Sequence, residues 1–332
     1  MLLSVIVPCY NEEPVLRDTW QRLLTVLRGI ESLDFEIIFV DDGSTDNTMP
    51  LLSLLRSEDD RIRVLGLSRN FGHQIAVTAG LEHAAGDAVV IIDADLQDPP
   101  EVIPEMVRLW REGHHVAYGK RIEREGESKF KLWTAKAFYR IINRLSETKM
   151  PVDTGDFRLM DRKVVDVLLS MPERGRYLRG MISWVGFSQV SVPYHRQSRS
   201  AGQSKYPLFK MIHFAMDGII SFSVLPLKFV MWTGMIAIWL ALLGIIVAVI
   251  VRVFQLYDLK LGRGWASLFV AVLFMGGVQL LSLGIMGEYL GRIYTEVKRR
   301  PLYAIQEQLG FENRVTRKKA TEDHAQEVDL AV

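Results

Sequence analysis

Two long apolar segments near the C-terminus constrain the fold of this chain most strongly. Phe229 to Val251 and Trp265 to Gly287 each run for 23 residues without a charged side chain. A helix needs roughly 20 apolar residues to cross a hydrocarbon core of about 30 Å, and the core helices of soluble proteins rarely go so long without a charge. The sequence therefore predicts two transmembrane helices, at residues 228–252 and 265–288, in preference to core helices of a large soluble protein.

The basic residues around these segments predict their orientation. The connecting loop, residues 252–264, carries three Lys or Arg residues. The opposite ends are flanked by a larger basic set: Lys205, Lys210, Lys228, Arg292, Lys298, Arg299 and Arg300. Such residues favour the cytoplasmic side, and the strand-like segment Leu2–Pro8 does not resemble a signal peptide. We expect a multi-pass protein of the inner (cytoplasmic) membrane, with its catalytic domain and both termini cytoplasmic.

Charge and cysteine content restrict the possible functions further. A net charge of +1 disfavours a globally basic nucleic-acid-binding protein, so no nucleic-acid partner is expected. Cys9 is the only cysteine, which excludes an intrachain disulfide and fits a reducing compartment. Because Cys9 stands among apolar strand residues, a packed thiol is favoured over a nucleophile.

The first 120 residues alternate between short apolar runs and helical patterns, which is typical of a parallel sheet covered by helices. Strands are predicted at Leu3–Pro8, Phe35–Val40, Ile62–Leu67, Ala88–Ile92 and Val116–Gly119, and helices at Glu13–Arg28, Thr48–Ser57, Gln74–Ala84 and Glu101–Glu112. No Gly-x-Gly-x-x-Gly sequence follows the first strand, which disfavours a dehydrogenase. The predicted fold class is therefore α/β.

Two further segments have amphipathic patterns. Glu125–Ser146 is compatible with a basic helix on an anionic membrane face or with a solvated helix packed on the domain. Tyr206–Leu225, within residues 205–227, leads into the first span and is predicted to be an interfacial helix.

The residues after the second span, 289–332, are predicted to be cytoplasmic. Their pattern predicts a helix over Glu288–Gly310 with a break at Pro301. The polar composition of Asn313–Val332 predicts a disordered tail.

Acidic side chains follow three of the predicted strands. These motifs are Pro8-Cys9-Tyr10-Asn11-Glu12, Asp41-Asp42-Gly43-Ser44-Thr45-Asp46 and Asp93-Ala94-Asp95-Leu96-Gln97-Asp98-Pro99-Pro100. Because the carboxyl ends of parallel strands meet at one edge, five of these carboxylates should surround one crevice. Each motif alone is compatible with an acidic turn or a helix cap. Together they predict a nucleotide site at which a divalent cation relieves the repulsion between carboxylates.

With Thr154-Gly155-Asp156-Phe157-Arg158-Leu159-Met160, these motifs resemble the set found in family 2 glycosyltransferases. The chain resembles their polyprenyl-phosphate glycosyltransferases, most closely the bactoprenol (undecaprenyl-phosphate) glucosyltransferases, which have two C-terminal transmembrane helices. Dolichyl-phosphate mannosyltransferases are related. The resemblance covers about residues 1–310 and implies a GT-A (Rossmann-like) nucleotide-sugar-binding domain at residues 1–204.

This resemblance also implies roles for individual residues. The nucleotide-sugar donor would be held by Pro8, Tyr10, Asn11, Glu12, Asp41, Asp42, Asp93 and Ala94. The metal ligands for Mg²⁺ or Mn²⁺ would be Asp95, which is also a catalytic residue, and Gln97. The acceptor phosphate would be bound by Arg121, Lys129, Lys131, Arg199 and Lys205. Arginine suits bidentate phosphate binding, although a membrane-facing surface would also explain some of these charges.

Asp156 is the candidate catalytic base in this family's Gly-Asp-Phe-Arg pattern. A phosphate monoester has its second pKa near 6, however, so the acceptor is largely dianionic at neutral pH. We therefore expect Asp156 chiefly to orient the acceptor or the sugar hydroxyls, with proton removal a lesser contribution. The alternative is a carboxylate paired with Arg158 or Arg162 in a loop.

The implied reaction is inverting, metal-dependent transfer of a hexose, expected to be glucose from UDP-glucose, to polyprenyl phosphate without a covalent intermediate. The glycolipid would serve modification of cell-surface polysaccharide or lipopolysaccharide. Alternative donors are GDP-mannose, UDP-aminoarabinose, UDP-GlcNAc and UDP-galactose. A processive polysaccharide synthase would need more spans and a Gln-x-x-Arg-Trp motif, and a silent membrane scaffold would show erosion of the metal motif. Similar proteins imply a homo-oligomer, such as a tetramer, in contact with membrane lipids.

Overall fold

The structure, a computed structural model, describes residues 1–122, 154–195, 225–253 and 265–311. They belong to two compact units, one built on a β-sheet and one containing two long apolar helices. The predicted amphipathic segments Glu125–Ser146 and Tyr206–Leu225, except for the last residue of the second, lie outside the described residues. The predicted tail Asn313–Val332 also lies outside them.

Among the described residues, one sheet of eight strands has the order β7-β5-β6-β4-β1-β2-β3-β8. The strands are β1 Leu2–Cys9, β2 Asp34–Asp41, β3 Ile62–Leu67, β4 Ala88–Ile91, β5 Val116–Arg121, β6 Thr154–Asp161, β7 Gln189–Tyr194 and β8 Ile305–Leu309. All five strands predicted from the first 120 residues are confirmed to within two residues at each end. The expected α/β fold is confirmed as well.

Helices cover both faces of this sheet. They are α1 Glu13–Arg28, α2 Thr48–Glu58, α3 His73–His83, α4 Ile103–Arg111 after a 3₁₀ turn at Pro100–Val102, α5 Arg162–Ser170 and α6 Leu178–Val185. Alternate residues of β1 enter opposite cores, since Val5 packs with α1, α2 and α4 whereas Ile6 packs with α3, α5 and α6. The two cores make a three-layer α/β/α sandwich.

A close approach of α3 to the sheet brings its first residues to the edge where the site lies. A Cβ atom at Gly80 would stand 2.5 Å from Cγ2 of Ile6, so only glycine allows this separation. The helix begins after Gly72, whose φ of +99° also favours glycine. As a result, His73 and Gln74 lie at the carboxyl ends of the parallel strands.

The sheet is mixed, so the prediction of a parallel sheet needs a correction. The strands β4, β1, β2 and β3 are parallel to one another, but β6 is antiparallel to both β4 and β5, and β8 is antiparallel to β3. The residues of β6 fall beyond the segment from which the sheet was predicted. Because β6 runs in the opposite direction, it is its beginning, with Asp156, that lies at the carboxyl edge of β4.

The predicted helix over Glu288–Gly310 is wrong in its second half. The second apolar helix ends at Val297, and Ile305–Leu309 forms β8, which pairs antiparallel with β3. Pro301 disfavours helix at the residue before it. The backbone of β3 offers the unpaired edge that Ile305–Leu309 extends.

The two apolar helices are α7 Leu225–Val253 and α8 Trp265–Val297. Each contains a segment long and apolar enough to cross a membrane, with mean hydropathy 1.7 over Leu227–Gly244 and 2.2 over Leu268–Val297, and none of either segment is buried. The helices predicted at residues 228–252 and 265–288 are confirmed as helices. The second is longer than predicted because Glu288, Arg292 and Glu296 continue it beyond the apolar run.

Candidate active site

Hydrogen bonds from the first motif tie the end of β1 to the turn after β2. Asn11 has a left-handed backbone with φ of 56°. Its N–H donates to Ser44 Oγ at 2.9 Å, and its Oδ1 accepts the N–H of Thr45 at 2.8 Å. Pro8 is buried at the end of β1, and the ring of Tyr10 is exposed at this edge. The exposed ring is therefore available to a ligand, whereas the side chain of Asn11 holds the two turns together.

The two carboxylates at the end of β2 have different surroundings. Both oxygens of Asp42 accept backbone N–H groups, from Phe71 at 2.7 Å and Gly72 at 2.9 Å. Oδ1 of Asp41 is buried and has no hydrogen-bond partner among the described residues. Burial raises the pKa of both carboxyl groups. Asp42 thus holds the loop before α3. Asp41 presents an unpaired oxygen that could accept a hydrogen bond from a nucleoside. Glu12, at the end of the first motif, is half-buried.

Two contacts maintain the conformation of the turn after β4, one from α1 and one within the turn itself. The hydroxyl of Thr19 on α1, which is fully buried, lies 2.7 Å from the carbonyl oxygen of Ala94. Oδ1 of Asp95 accepts the N–H of Gln97 at 3.1 Å, and Leu96 between them has a left-handed φ of 55°. This conformation is uncommon for leucine, so the surrounding contacts must maintain it.

The side chains of Asp95 and Gln97 fit a divalent cation that takes most of its ligands from a substrate. Both offer hard oxygen donors, and Mg²⁺ is usually bound by one or two carboxylates together with phosphate oxygens and water. No group of three or more His, Cys, Asp or Glu side chains arranged for a metal occurs in the part of the chain that the structure describes. Asp95 and Gln97 would thus supply two of the ligands, with phosphate oxygens and water supplying the others.

His73 joins the carboxylates of two different strands. Its Nε2 lies 3.3 Å from Oδ2 of Asp156 and 3.7 Å from Oδ1 of Asp93. Burial opposes a charge on this ring, but the two carboxylates outweigh burial and raise the pKa of His73. Desolvation raises the pKa of Asp93 to about 6, an effect that His73 opposes and that Asp156, Asp98 and Asp95 increase.

Asp156 lies in β6 and accepts hydrogen bonds from both a cationic and a neutral side chain. Arg179 donates to it from Nε at 2.6 Å and from Nη2 at 3.2 Å, and Gln74 donates from Nε2 at 3.0 Å. Burial alone would raise the pKa of Asp156, but His73, Arg179 and Arg158 together hold it well below its usual value. The hydrogen-bonded ion-pair partner of Asp156 is therefore Arg179 in α6, whereas the alternative hypothesis named Arg158 or Arg162 in a loop.

Arg121, at the end of β5, is the predicted acceptor-site residue that the structure describes. Its Nε donates to the hydroxyl of Tyr194 at 3.1 Å, and its Nη2 lies 3.5 Å from Oδ1 of Asp98. The other predicted acceptor-site residues lie outside the described residues: Lys129, Lys131, Arg199 and Lys205. Cys9 is buried, and desolvation followed by neighbouring carboxylates raises its pKa, in agreement with a packed thiol.

Several residues at this edge were missed by the analysis of the sequence. The position of His73 shortly after β3 could have placed it in the site, because the carboxyl ends of parallel strands share one edge. Asp98 belongs to the acidic motif that follows β4, but the sequence alone assigned it no role. Thr19, Arg179 and Tyr194 carry no local pattern, since each reaches the site from an element whose packing the sequence does not reveal.

Comparisons with known proteins agree with this architecture. The family model described as Glycosyl transferase family 2 matches residues 4–169. The chain is 47% identical over 311 residues to glycosyltransferase YkcC of Bacillus subtilis (strain 168), covering 94% of this chain and 95% of that protein. It is 40% identical over 305 residues to the SfII prophage-derived bactoprenol glucosyl transferase of Shigella flexneri, covering 92% and 97%.

Among solved structures, the chain is similar to mannosyltransferase PcManGT from Pyrobaculum calidifontis in complex with GDP-Man and Mn²⁺. The identity is 17%, the TM-score is 0.43, and 87% of this chain and 86% of that chain are covered. A similarity this low identifies neither donor nor metal.

These observations define the class of the protein. An α/β sandwich with acidic side chains at the carboxyl edge of its parallel strands is the GT-A architecture predicted above. The chain belongs to glycosyl transferase family 2, and it is a glycosyltransferase.

Proposed function

We propose that this enzyme transfers one hexose from a nucleoside diphosphate sugar to polyprenyl phosphate, with inversion at the anomeric carbon. The observation that carries the proposal is that one edge of the sheet brings together two electrostatically different sets of side chains. Carboxylates that follow β1, β2 and β4 form the carboxylate half, Arg121 and Arg179 belong to the cationic half, and His73 lies between Asp93 and Asp156. Such an arrangement suits a metal–diphosphate complex next to a second, anionic substrate.

The carboxylate half suits the donor. The unpaired Oδ1 of Asp41 can accept a hydrogen bond from a nucleobase or a ribose hydroxyl, and the exposed ring of Tyr10 offers a stacking surface. A divalent cation at Asp95 and Gln97 would neutralise charge that develops on the leaving diphosphate. The same cation would offset the mutual repulsion of the carboxylates around Asp93.

The cationic half suits the acceptor phosphate. A phosphate oxygen attacks the anomeric carbon, the bond from that carbon to the diphosphate breaks, and the nucleoside diphosphate leaves from the opposite face. A phosphate dianion needs no base for this attack, and Asp156 is held in its charged form by Arg179 and His73. We therefore assign Asp156 to orientation of the acceptor or of the sugar hydroxyls, and Arg121 to the acceptor phosphate.

The path of the chain supports a membrane-bound enzyme whose domain and C-terminus lie on one side. The chain leaves the sheet domain, runs through α7 and α8, and returns to the sheet as β8 beside β3. If both helices cross a bilayer, the return to the same sheet requires an even number of crossings. We place the catalytic domain at the cytoplasmic face, where the basic residues flanking the spans favour it.

Glucose from UDP-glucose is the donor that we propose, because several relatives that match over nearly their whole length are named bactoprenol glucosyl transferase. The experiment uses membranes containing the full-length chain, polyprenyl phosphate and a panel of UDP- and GDP-sugars. Each reaction is run with Mn²⁺ or Mg²⁺ and with EDTA, and the glycolipids are identified by mass.

We expect a hexosyl-phospholipid from UDP-glucose that disappears with EDTA and returns on adding back the metal. Asp95→Asn membranes should give no product, while Asp166→Asn, a change at an exposed carboxylate on α5, should behave as the wild type. A glycolipid formed from another donor would change only the proposed donor sugar and would leave the rest of the proposal unchanged. The absence of glycosyl-phospholipid across the whole panel would overturn the proposal.

A further inference from the structure

We call the turn after β4, residues 93–98, the metal turn. Its last acidic residue, Asp98, joins two other elements. It is 1% exposed, accepts a hydrogen bond from the hydroxyl of Tyr194 on β7, and lies 3.5 Å from Nη2 of Arg121 on β5. Arg121 in turn donates from Nε to the same hydroxyl at 3.1 Å. We call Asp98, Tyr194 and Arg121 the arginine clamp.

Two glycines leave room for this clamp. A Cβ atom at Gly119 would stand 2.7 Å from the ring of Tyr194, and one at Gly155 would stand 2.9 Å from Nη2 of Arg121. The ring of Tyr194 also packs edge-on against Phe157, with ring centroids 5.9 Å apart. Backbone on both sides is therefore shaped around the tyrosine ring and the guanidinium group.

The clamp fixes the plane of the guanidinium group. A guanidinium is rigid and planar, so contacts at Nε and Nη2 determine the direction of its remaining N–H groups. In the described part of the chain, Nη1 of Arg121 makes no hydrogen bond. The clamp thus occupies one edge of the group and leaves Nη1 to bind an anion.

The clamp also explains how two arginines can share one site. Arg121 and Arg179 are close enough to repel each other electrostatically, but each has its own carboxylate, Asp98 and Asp156 respectively. A buried carboxylate without a cation would itself be costly. Each pair therefore reduces the repulsion between the cations while leaving both in the site.

We propose that Asp98 and Tyr194 are positioning residues that hold Arg121 ready for the phosphate of the acceptor. The proposal rests on the function proposed above. Because the turn that carries Asp98 also carries Asp95 and Gln97, one segment of six residues would set both the metal ligands and the acceptor-site arginine. Orientation before binding lowers the entropy lost when the phosphate binds.

The test compares Tyr194→Phe and Asp98→Asn with Tyr303→Phe. The first change keeps the packed ring and removes only its hydroxyl. Tyr303→Phe is a matched control, because its hydroxyl also donates to a carboxylate, that of Glu82 at the opposite end of α3. Purified full-length chains in detergent are assayed with UDP-glucose and a short-chain polyprenyl phosphate, and thermal unfolding is recorded for each.

We expect the KM for the acceptor phosphate to rise about tenfold or more in Tyr194→Phe and in Asp98→Asn, since hydrogen bonds to charged groups are the strong ones. The KM for the donor should change less than about twofold, and Tyr303→Phe should leave both unchanged. An unchanged acceptor KM, or equal changes in both KM values with a lower unfolding temperature, would overturn the inference. A wild type that glycosylates no polyprenyl phosphate would overturn the proposed function and this inference together.

Discussion

Single residues of the same type have opposite properties in this site because their neighbours differ. Asp156 is surrounded by His73, Arg179 and Arg158, which hold its pKa well below the usual value despite burial. Desolvation and three neighbouring carboxylates raise the pKa of Asp93, and His73 opposes this rise. The sequence shows both as aspartates near a strand end, and only the fold shows which one has the cations.

The charge state of Asp156 leads to a prediction about pH. Its pKa is held well below its usual value, so the carboxylate is ionised at both pH 6 and pH 8.5 and has little tendency to take up a proton in that range. We expect Asp156→Asn to lose activity by a similar factor, on the order of tenfold or more, at both pH values. Rates with saturating substrates at each pH, against wild type and the Asp166→Asn control, measure this. A loss confined to pH 6, where more of the acceptor is protonated, would instead establish Asp156 as a base.

Among the elements, α1 supports the metal turn through one buried hydroxyl. Thr19→Val keeps the shape of the side chain and leaves the carbonyl of Ala94 without this donor, which should cost about 1–3 kcal/mol of stability. The turn should also hold Asp95 less firmly, raising the Mn²⁺ concentration needed for half-maximal activity. Thermal unfolding in detergent and a Mn²⁺ titration measure the two effects.

Thr25→Val is the matched control for this change. Thr25 lies on the same helix and donates to the carbonyl of Gln21 at 2.8 Å, but it is exposed. We expect a change below about 0.5 kcal/mol and an unchanged response to Mn²⁺. Equal behaviour of the two threonine variants would remove the role assigned to α1.

The strand β8 makes the segment after α8 part of the catalytic domain. Besides the pairing with β3, the N–H of Ser68 donates to the carbonyl of Ala304 at 2.9 Å, and Phe311 contacts the ring of His83. Ser68 immediately precedes the loop that Asp42 holds at the site. Loss of β8 should therefore disturb both the sheet and the nucleotide side of the crevice.

A truncation series tests this role of β8. We expect a chain ending at residue 312 to keep its activity and unfolding temperature, because it retains β8 and Phe311. A chain ending at residue 300 should unfold at a lower temperature and lose most of its activity. Full activity in the shorter chain would show that β8 is dispensable for the site.

These elements also show what the sequence could and could not predict. The parallel strands were readable because each is a short apolar run between turn residues, and the acidic edge followed from their common direction. The segment Ile305–Leu309 was misassigned because its partner, the edge of β3, is more than 230 residues away in the chain. Tyr194 and Arg179 were missed because their roles depend on contacts with other elements, Arg121 and Asp98 for Tyr194 and Asp156 for Arg179.

At the scale of the whole molecule, the chain joins a sheet covered by helices to two exposed apolar helices and then returns to that sheet. A homo-oligomer stays a prediction, since a single copy of the chain does not test it. The path of the chain, in contrast, determines the membrane topology if the two helices span a membrane. The ends of α7 and α8 that connect to the sheet must then share one side, and the loop between the helices must lie on the other.

This topology can be measured with reporter fusions in a bacterial membrane. Alkaline phosphatase, which is active only outside the cytoplasm, should be active when inserted in the loop at residues 254–264 and inactive when fused after residue 312. A fluorescent protein that folds in the cytoplasm should give the reverse pattern. Phosphatase activity at the C-terminal fusion would contradict a cytoplasmic sheet domain, because β8 cannot pair with β3 across a bilayer.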